Sequence, residues 1–117
     1  MQTVQIFNVT KGVVIAQQAK IASSLGERMK GLLGKRSLSA NEALILKPCS
    51  SIHTFFMRFP IDIIFLDRGS KVKRVIQSMP PFRLSRLVFG AREVIELPSG
   101  VIANTKTEVD DLIEIQP

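Results

Sequence analysis

The stretch PCSSIHTFFMRFPIDIIFLD, residues 48–67, decides how this chain folds. Two apolar runs within it, residues 52–57 and 61–66, are rich in the β-branched and aromatic residues that favour strands. Phe59-Pro60 separates them, because proline cannot donate a hydrogen bond to a sheet. We therefore predict two strands here, with the chain's only cysteine, its only histidine and two carboxylates beside them.

The sequence before this stretch predicts a hairpin and then a helix. Residues 3–7 alternate apolar and polar side chains, residues 8–12 have turn composition, and residues 13–16 resume the strand pattern. Ser24 and Glu27 have the spacing of a capping box. A helix near residues 24–33 follows, since Leu25, Met29, Leu32 and Leu33 would share one face before Gly34 ends it.

The remaining elements are short. Strand composition recurs at residues 43–46, 71–77, 91–97 and 112–115, and a short helical turn is predicted near residues 101–105. No linker or repeat divides the 117 residues, so we predict one domain over residues 1–117. The fold class is mainly β (α+β), either a single compact antiparallel sheet or a partly open barrel with one helix and one helical turn.

Composition excludes several classes of protein. A single cysteine cannot form an internal disulfide, and the first residues lack the pattern of a secretory signal. No apolar run is long enough to span a membrane. We therefore expect a cytoplasmic protein without a membrane span.

The charge is unevenly distributed along the chain. Residues 28–92 hold 13 Lys or Arg against three acidic residues, whereas residues 93–117 hold one Lys against six acidic residues. Such asymmetry can steer an acidic partner toward one face. The alternative interpretation is a solvated surface that keeps a small protein soluble.

Cys49, His53 and Asp62 are the candidate catalytic residues. A thiolate nucleophile needs a base or cation within hydrogen-bond reach, which His53 could supply, with Asp62 orienting it. Four residues of extended chain place Cys49 and His53 about 13 Å apart, so only a bend could join them. In the competing interpretation, Cys49 is a buried structural cysteine and His53 is hydrogen-bonded to the backbone.

Other interpretations of this region remain open. Cys49, His53 and one of Asp62 or Asp67 could bind a metal, but the paired Cys or His motifs of structural zinc sites are absent, so we predict neither a metal nor a cofactor. Asp62 could instead be a hydrogen-bonded carboxylate, or pair with Arg58 or Arg92. Asp67 is explained as the first residue of a turn.

A second candidate surface is basic. It comprises the residues Lys71, Lys73, Arg74, Arg83 and Arg86. With Phe82 and Phe89 as stacking platforms, this surface could bind nucleic acid, although no recognisable nucleic-acid-binding motif is present. The apolar residues that follow Met79-Pro80-Pro81 could instead dock a protein partner, since prolines reduce the ordering cost, or pack over a sheet edge.

Three ordered stretches carry a family resemblance. Residues 28–34 (RMKGLLG), 56–67 (FMRFPIDIIFLD) and 91–100 (AREVIELPSG) resemble the prokaryotic family called domain of unknown function 192, which the chain resembles from about residue 24 to 115. The family's commoner middle motif is similar to Trp-Met-Lys-Asn-Thr before Pro-Leu-Asp. This chain instead has Phe56-Met57-Arg58-Phe59, preceded by Cys49-x-x-Ile52-His53-Thr54, which indicates a variant subgroup. The resemblance implies a compact, mainly β fold with a helix after the first strands, and no established activity.

We therefore expect a non-enzymatic accessory module that binds a small ligand or an acidic protein. The predicted ligand-binding site is bordered by the residues Cys49, His53, Thr54, Arg58, Asp62 and Arg92. A thiol-dependent enzyme using Cys49 and His53 is one alternative, and a nucleic-acid-binding protein that uses the basic surface is the other.

Overall fold

The computed structural model describes residues 3–30, 32, 37–54 and 57–117. Within these residues the chain is mainly β, as predicted, with two short helices. The strands are β1 (Thr3–Asn8), β2 (Val13–Ala22), β3 (Glu42–Leu46), β4 (Ile61–Asp67), β5 (Val72–Met79), β6 (Ala91–Pro98) and β7 (Ile113–Gln116). The helices are α1 (Leu25–Lys30) and α2 (Val101–Thr105). Neither described helix is long and apolar enough to cross a membrane.

The strands form one open sheet in the order β5-β4-β6-β3-β2-β1-β7. Every pairing is antiparallel except that of β2 with β3, which is parallel. A parallel pair needs a crossover connection, and the segment containing α1 supplies it. The outer strands approach each other at one corner, where Lys71 and Leu112 form an isolated bridge, but the sheet does not close into a barrel.

The first hairpin is longer than its sequence indicates. Its turn forms as predicted, with the Gly12 amide donating to the Asn8 carbonyl at 2.9 Å and Gly12 at a φ of 69°. The second strand continues to Ala22 instead of ending at Ala16. Its buried side chains include Ala16, Ala19 and Ala22, which are too small to give a strong hydrophobic pattern.

The predicted strand at residues 52–57 is wrong over its described part. His53 makes only an isolated bridge with Leu84, and residues 52 and 54 belong to no strand. Phe55 and Phe56 lie outside the described residues. The backbone groups of residues 52–54 bond to a loop rather than to a neighbouring strand, so no ladder can propagate.

The capping box at the start of α1 is confirmed. The Glu27 amide donates to the Ser24 hydroxyl at 3.1 Å, and the Ser24 amide donates to Glu27 Oε1 at 3.2 Å. The helix ends at Lys30, earlier than predicted. Leu32, from the predicted apolar stripe, is buried beyond this end, whereas Leu33 and Gly34 lie outside the described residues.

The sheet separates two clusters of buried apolar residues. Ile64 and Leu66 of β4 belong to the first cluster, which also contains Ile102 of α2. Ile63 and Phe65 belong to the second cluster, on the opposite face. Because residues 61–66 are all fully buried, a polar side chain among them has little access to water.

Asp62 is the polar side chain among the fully buried residues 61–66 of β4, and both of its carboxylate oxygens accept hydrogen bonds. Oδ1 accepts a hydrogen bond from the Ser78 amide at 2.8 Å. Oδ2 accepts from the amides of Gly100 and Ile102 at 3.1 and 2.9 Å. Gly100, with a φ of 101°, has no side chain with which to cap α2, so the carboxylate on β4 caps this helix instead.

A cluster of polar side chains connects the turn of the first hairpin to the segment before β7 by hydrogen bonds and an ion pair. Asn8 Nδ2 donates to Asp111 Oδ2 at 2.9 Å, and Lys11 Nζ lies 3.0 Å from Asp111 Oδ1. Burial alone would raise the pKa of Asp111, but hydrogen bonds from Asn8, the Glu108 amide and Lys11 outweigh burial and lower that pKa. The cluster fixes the corner where the two outer strands approach.

We expect Asp62→Ala to destabilise the protein by about 3 kcal/mol, because three backbone amides would lose their acceptor inside the structure. Urea unfolding measures the effect. Glu114→Ala, which removes an exposed carboxylate from β7, is the control and should change stability little. Equal losses in the two variants would contradict the capping role of Asp62.

Candidate functional site

The segment that follows β3 is held against the loop between β5 and β6. The Val88 amide donates to the Ser50 carbonyl at 2.8 Å, and the Ser85 amide donates to the Ile52 carbonyl at 2.8 Å. In return, the Ile52 amide donates to the buried Ser85 hydroxyl at 2.8 Å. These bonds join two irregular segments into one hydrogen-bonded layer.

Thr54, a predicted ligand-binding residue, lies in this layer and is fully buried. Its hydroxyl donates to the Pro80 carbonyl at 2.6 Å and accepts from the Arg83 amide at 2.9 Å. Its own amide donates to the Arg83 carbonyl at 2.8 Å. Thr54 therefore fastens the two segments together.

Cys49 lies at the edge of the second apolar cluster and is partly buried. Its amide donates to the Arg92 carbonyl at 2.9 Å, and its thiol donates to the Ser51 carbonyl at 3.0 Å. Burial raises the pKa of the Cys49 thiol above its ordinary value, and the nearby Glu96 acts in the same direction. This environment disfavours a thiolate nucleophile.

The three candidate catalytic residues lie in different environments. His53 is exposed and bridges to Leu84. Asp62 caps α2 on the face of the first apolar cluster, whereas Cys49 packs against the second. Both carboxylate oxygens of Asp62 already accept backbone amides, so its predicted role as orienter of His53 gains no support from these hydrogen bonds. Among the described residues, no three His, Cys, Asp or Glu side chains are placed to hold a metal ion.

We expect alkylation of Cys49 by iodoacetamide to be slow at neutral pH, and to accelerate only above the pH at which an ordinary thiol ionises, because burial disfavours the thiolate. His53→Ala should leave this pH profile unchanged. A midpoint well below pH 9.0, the ordinary thiol value, that His53→Ala abolishes would instead support the thiol-dependent enzyme.

The two predicted arginines of the site are both exposed. Arg58 lies between the hydrogen-bonded layer and β4. Arg92 lies near the start of β6 and lines an open depression of about 440 Å³, where the ends of several strands meet. Arg92 is the only one of the six predicted ligand-binding residues that lines this depression.

Asp67, which also lines the depression, accepts hydrogen bonds from the amides of Gly69 and Lys71 at 2.9 Å each. These bonds confirm its predicted role as the first residue of a turn.

Glu96 is the unusual residue that the sequence interpretation missed. It lies on β6 between Leu44 of β3 and Ile63 of β4 and is only 4% exposed. Its Oε1 has no hydrogen-bond partner among the described residues. Burial raises the pKa of Glu96 to about 8, so the carboxyl is protonated at neutral pH.

The signal for Glu96 was present in the sequence as an acidic residue inside the apolar run Val94-Ile95-Glu96-Leu97. That run could also belong to an edge strand, on which Glu96 would face water. The pairing of β6 with both β3 and β4 decides otherwise. A buried titratable group with an oxygen that no described residue satisfies is a candidate functional residue.

We expect Glu96→Gln to be more stable relative to the wild type at pH 9 than at pH 4, by about 4 kcal/mol. A raised folded-state pKa contributes stability that is present below the unfolded value of 4.5 and is lost as pH rises toward about 8. Gln cannot ionise and escapes this loss. The measurement is urea unfolding across that pH range.

Glu93→Gln, on the same strand but within reach of Lys47, is the control for this measurement. Its free energy of unfolding should change with pH nearly as that of the wild type does. If the free energy of unfolding of Glu96→Gln also followed that of the wild type across this pH range, the pKa of Glu96 would not be raised by burial.

The predicted basic surface is exposed throughout. All five side chains are solvent-accessible, namely Lys71, Lys73, Arg74, Arg83 and Arg86. The loop of residues 82–89, here called the docking loop, also exposes large apolar side chains. Their exposed fractions are 59% for Phe82, 68% for Leu84, 71% for Leu87 and 92% for Phe89.

This mixed but mostly antiparallel sheet with two short helices has been seen before. A protein of unknown function from Novosphingobium aromaticivorans has the same fold, with a TM-score of 0.82 and 22% sequence identity. The match covers 96% of this chain and 83% of that one. At this identity the likeness shows the fold alone.

Sequence comparison identifies the family. The chain matches domain of unknown function 192, described as an uncharacterised ACR, over residues 6–115, and it belongs to this family. A UPF0127 protein from Thermococcus sibiricus is 34% identical over 113 residues, covering 93% of this chain and 73% of that protein. One from Pyrococcus horikoshii is 33% identical over 112 residues, covering 93% and 96%.

Proposed function

We propose that this protein is a non-enzymatic accessory module that docks an acidic protein partner through the docking loop. The observation that carries the proposal is the exposure of Phe82, Leu84, Leu87 and Phe89 within eight residues. Isolated exposed apolar residues are common, but several together on one loop are typical of an interaction surface. Aromatic side chains also supply much of the binding energy at protein interfaces.

The loop is fixed before any partner arrives. Ser85 is buried, and its hydroxyl and amide both bond to Ile52. Near the other end of the loop, Val88 donates to Ser50, and the Ala91 amide donates to Val88 at 3.0 Å. Docking therefore costs little backbone ordering, which leaves more of the contact energy for affinity.

The charges around the loop favour an acidic partner. Arg83 and Arg86 alternate with the apolar residues and are exposed. Lys73 of β5 extends toward the loop, with its Cε 3.7 Å from where a Cβ at Gly90 would lie. Carboxylates that flank apolar residues on a partner would match this pattern, and the charges would accelerate encounter.

The environments of the candidate catalytic residues support a non-enzymatic role. Burial raises the pKa of the Cys49 thiol, and both carboxylate oxygens of Asp62 already accept backbone amides. Thr54 is likewise occupied by hydrogen bonds within its layer. These environments favour the non-enzymatic role over the thiol-dependent alternative, which needs a thiolate at Cys49 and a free carboxylate at Asp62.

Selection from a displayed library of random peptides tests the docking proposal. We expect selected peptides to be enriched in Asp and Glu next to apolar residues. Each of two double variants, Leu87→Ser with Phe89→Ser and Arg83→Glu with Arg86→Glu, should weaken binding of a selected peptide about tenfold or more. Fluorescence anisotropy measures that binding.

The matched control removes exposed apolar side chains elsewhere. Val13→Ser with Val14→Ser changes residues that are 36% and 44% exposed on β2, and should leave peptide binding unchanged. Selection of basic peptides, or binding that survives both loop variants, contradicts the proposal. So does salt-dependent binding of a mixed single-stranded oligonucleotide in the absence of peptide selection, because that result favours a nucleic-acid partner.

A further inference from the structure

We infer that the depression lined by Arg92 binds a small molecule that carries a phosphate or carboxylate group. The depression lies where β2, β3 and β4 end and β6 begins, so Ser23, Lys47 and Arg92 come together from distant parts of the chain. Its volume of about 440 Å³ lies within the range of small-molecule sites.

Three cationic side chains line the depression, namely Lys47, Arg68 and Arg92. No ion pair or hydrogen bond joins either guanidinium to another described residue. A guanidinium presents paired N–H donors that match the oxygens of a phosphate or a carboxylate. Two such groups at one depression provide donors that the protein itself does not use.

The acidic residues of the depression are already engaged. Oδ1 of Asp67 accepts two backbone amides, and Oε1 of Glu93 lies 3.9 Å from Lys47 Nζ. The three cationic side chains of the depression outnumber these two carboxylates, so an oxyanion still meets a net positive charge. Arg28 adds a further positive charge next to the depression, because its guanidinium donates to the carbonyl of the lining residue Pro48 at 2.9 Å.

Two hydroxyl groups complete the lining. Ser23 follows β2, and Ser70 lies in the turn between β4 and β5. The backbone of Ser70 is fixed on both sides, since its amide donates to Asp67 and its carbonyl accepts from Ile113 at 2.9 Å. Hydroxyl donors beside guanidinium groups suit a ligand with an oxyanion and further polar atoms.

This inference is independent of the docking proposal. None of the residues that line the depression belongs to the docking loop. Binding at the docking loop and binding at the depression can therefore be weakened separately, by variants that remove the same amount of charge.

Amide NMR titration with inorganic pyrophosphate, and separately with citrate, tests the site. We expect saturable shifts at the amides of Arg68, Ser70 and Arg92 with at least one of the two probes. Saturation by pyrophosphate alone would identify phosphate as the ligand group, and saturation by citrate alone would identify carboxylate. Arg68→Gln with Arg92→Gln should weaken the binding about tenfold or more.

The matched control is Arg83→Gln with Arg86→Gln, which removes the same charge from the docking loop. It should leave the anion affinity within about twofold, because those guanidiniums lie outside the depression. Equal weakening by both double variants would mean unspecific attraction of anions by a basic protein, and would overturn the inference. The absence of saturable shifts with both probes at millimolar concentration would also overturn it.

Discussion

The burial of β4 on both faces is the constraint on which the rest of the structure depends. Residues 61–66 are fully buried, and alternate side chains enter two separate apolar clusters. A strand buried in this way must lie inside the sheet, so β5 and β6 pair with it on either side. Elements on both faces must then cover it. Helix α2 covers the first cluster, and residues near Ile52 and Met57 pack into the second.

Burial of the central strands also explains why polar residues there behave so differently. Asp62 is as deeply buried as its apolar neighbours, but three backbone amides compensate for its lost hydration. Asp111, which is buried outside the central strands, is compensated by the side chains of Asn8 and Lys11. Glu96 has no such compensation for Oε1 among the described residues, and its pKa rises accordingly. Similar burial therefore leaves one carboxylate as a helix cap and another as a protonated acid.

The surface separates into two regions with different physical character. The docking loop is rigidly supported by the layer around Thr54, yet it presents apolar side chains to solvent. The depression at Arg92 is concave, and charged and hydroxyl-bearing residues, including two arginines, make up most of its lining. An exposed apolar loop with a hydrogen-bonded backbone suits a macromolecule, whereas a concave basic depression suits a small anion. Both regions contribute to the strong positive charge of residues 28–92.

The sequence by itself determined the mainly β fold, the capped start of α1, the turn at Asp67 and the family. Each of these depends on residues close together in the chain or on ordered motifs. Tertiary structure alone decided the parallel pairing of β2 with β3, the bridge at His53 in place of a strand, and the separation of Asp62 from Cys49 by the sheet. It also decided the isolation of Glu96, whose neighbours Leu44 and Ile63 lie 52 and 33 residues away in sequence. The physical reason is that burial and hydrogen-bond satisfaction depend on which strands become neighbours, and local patterning does not specify those neighbours.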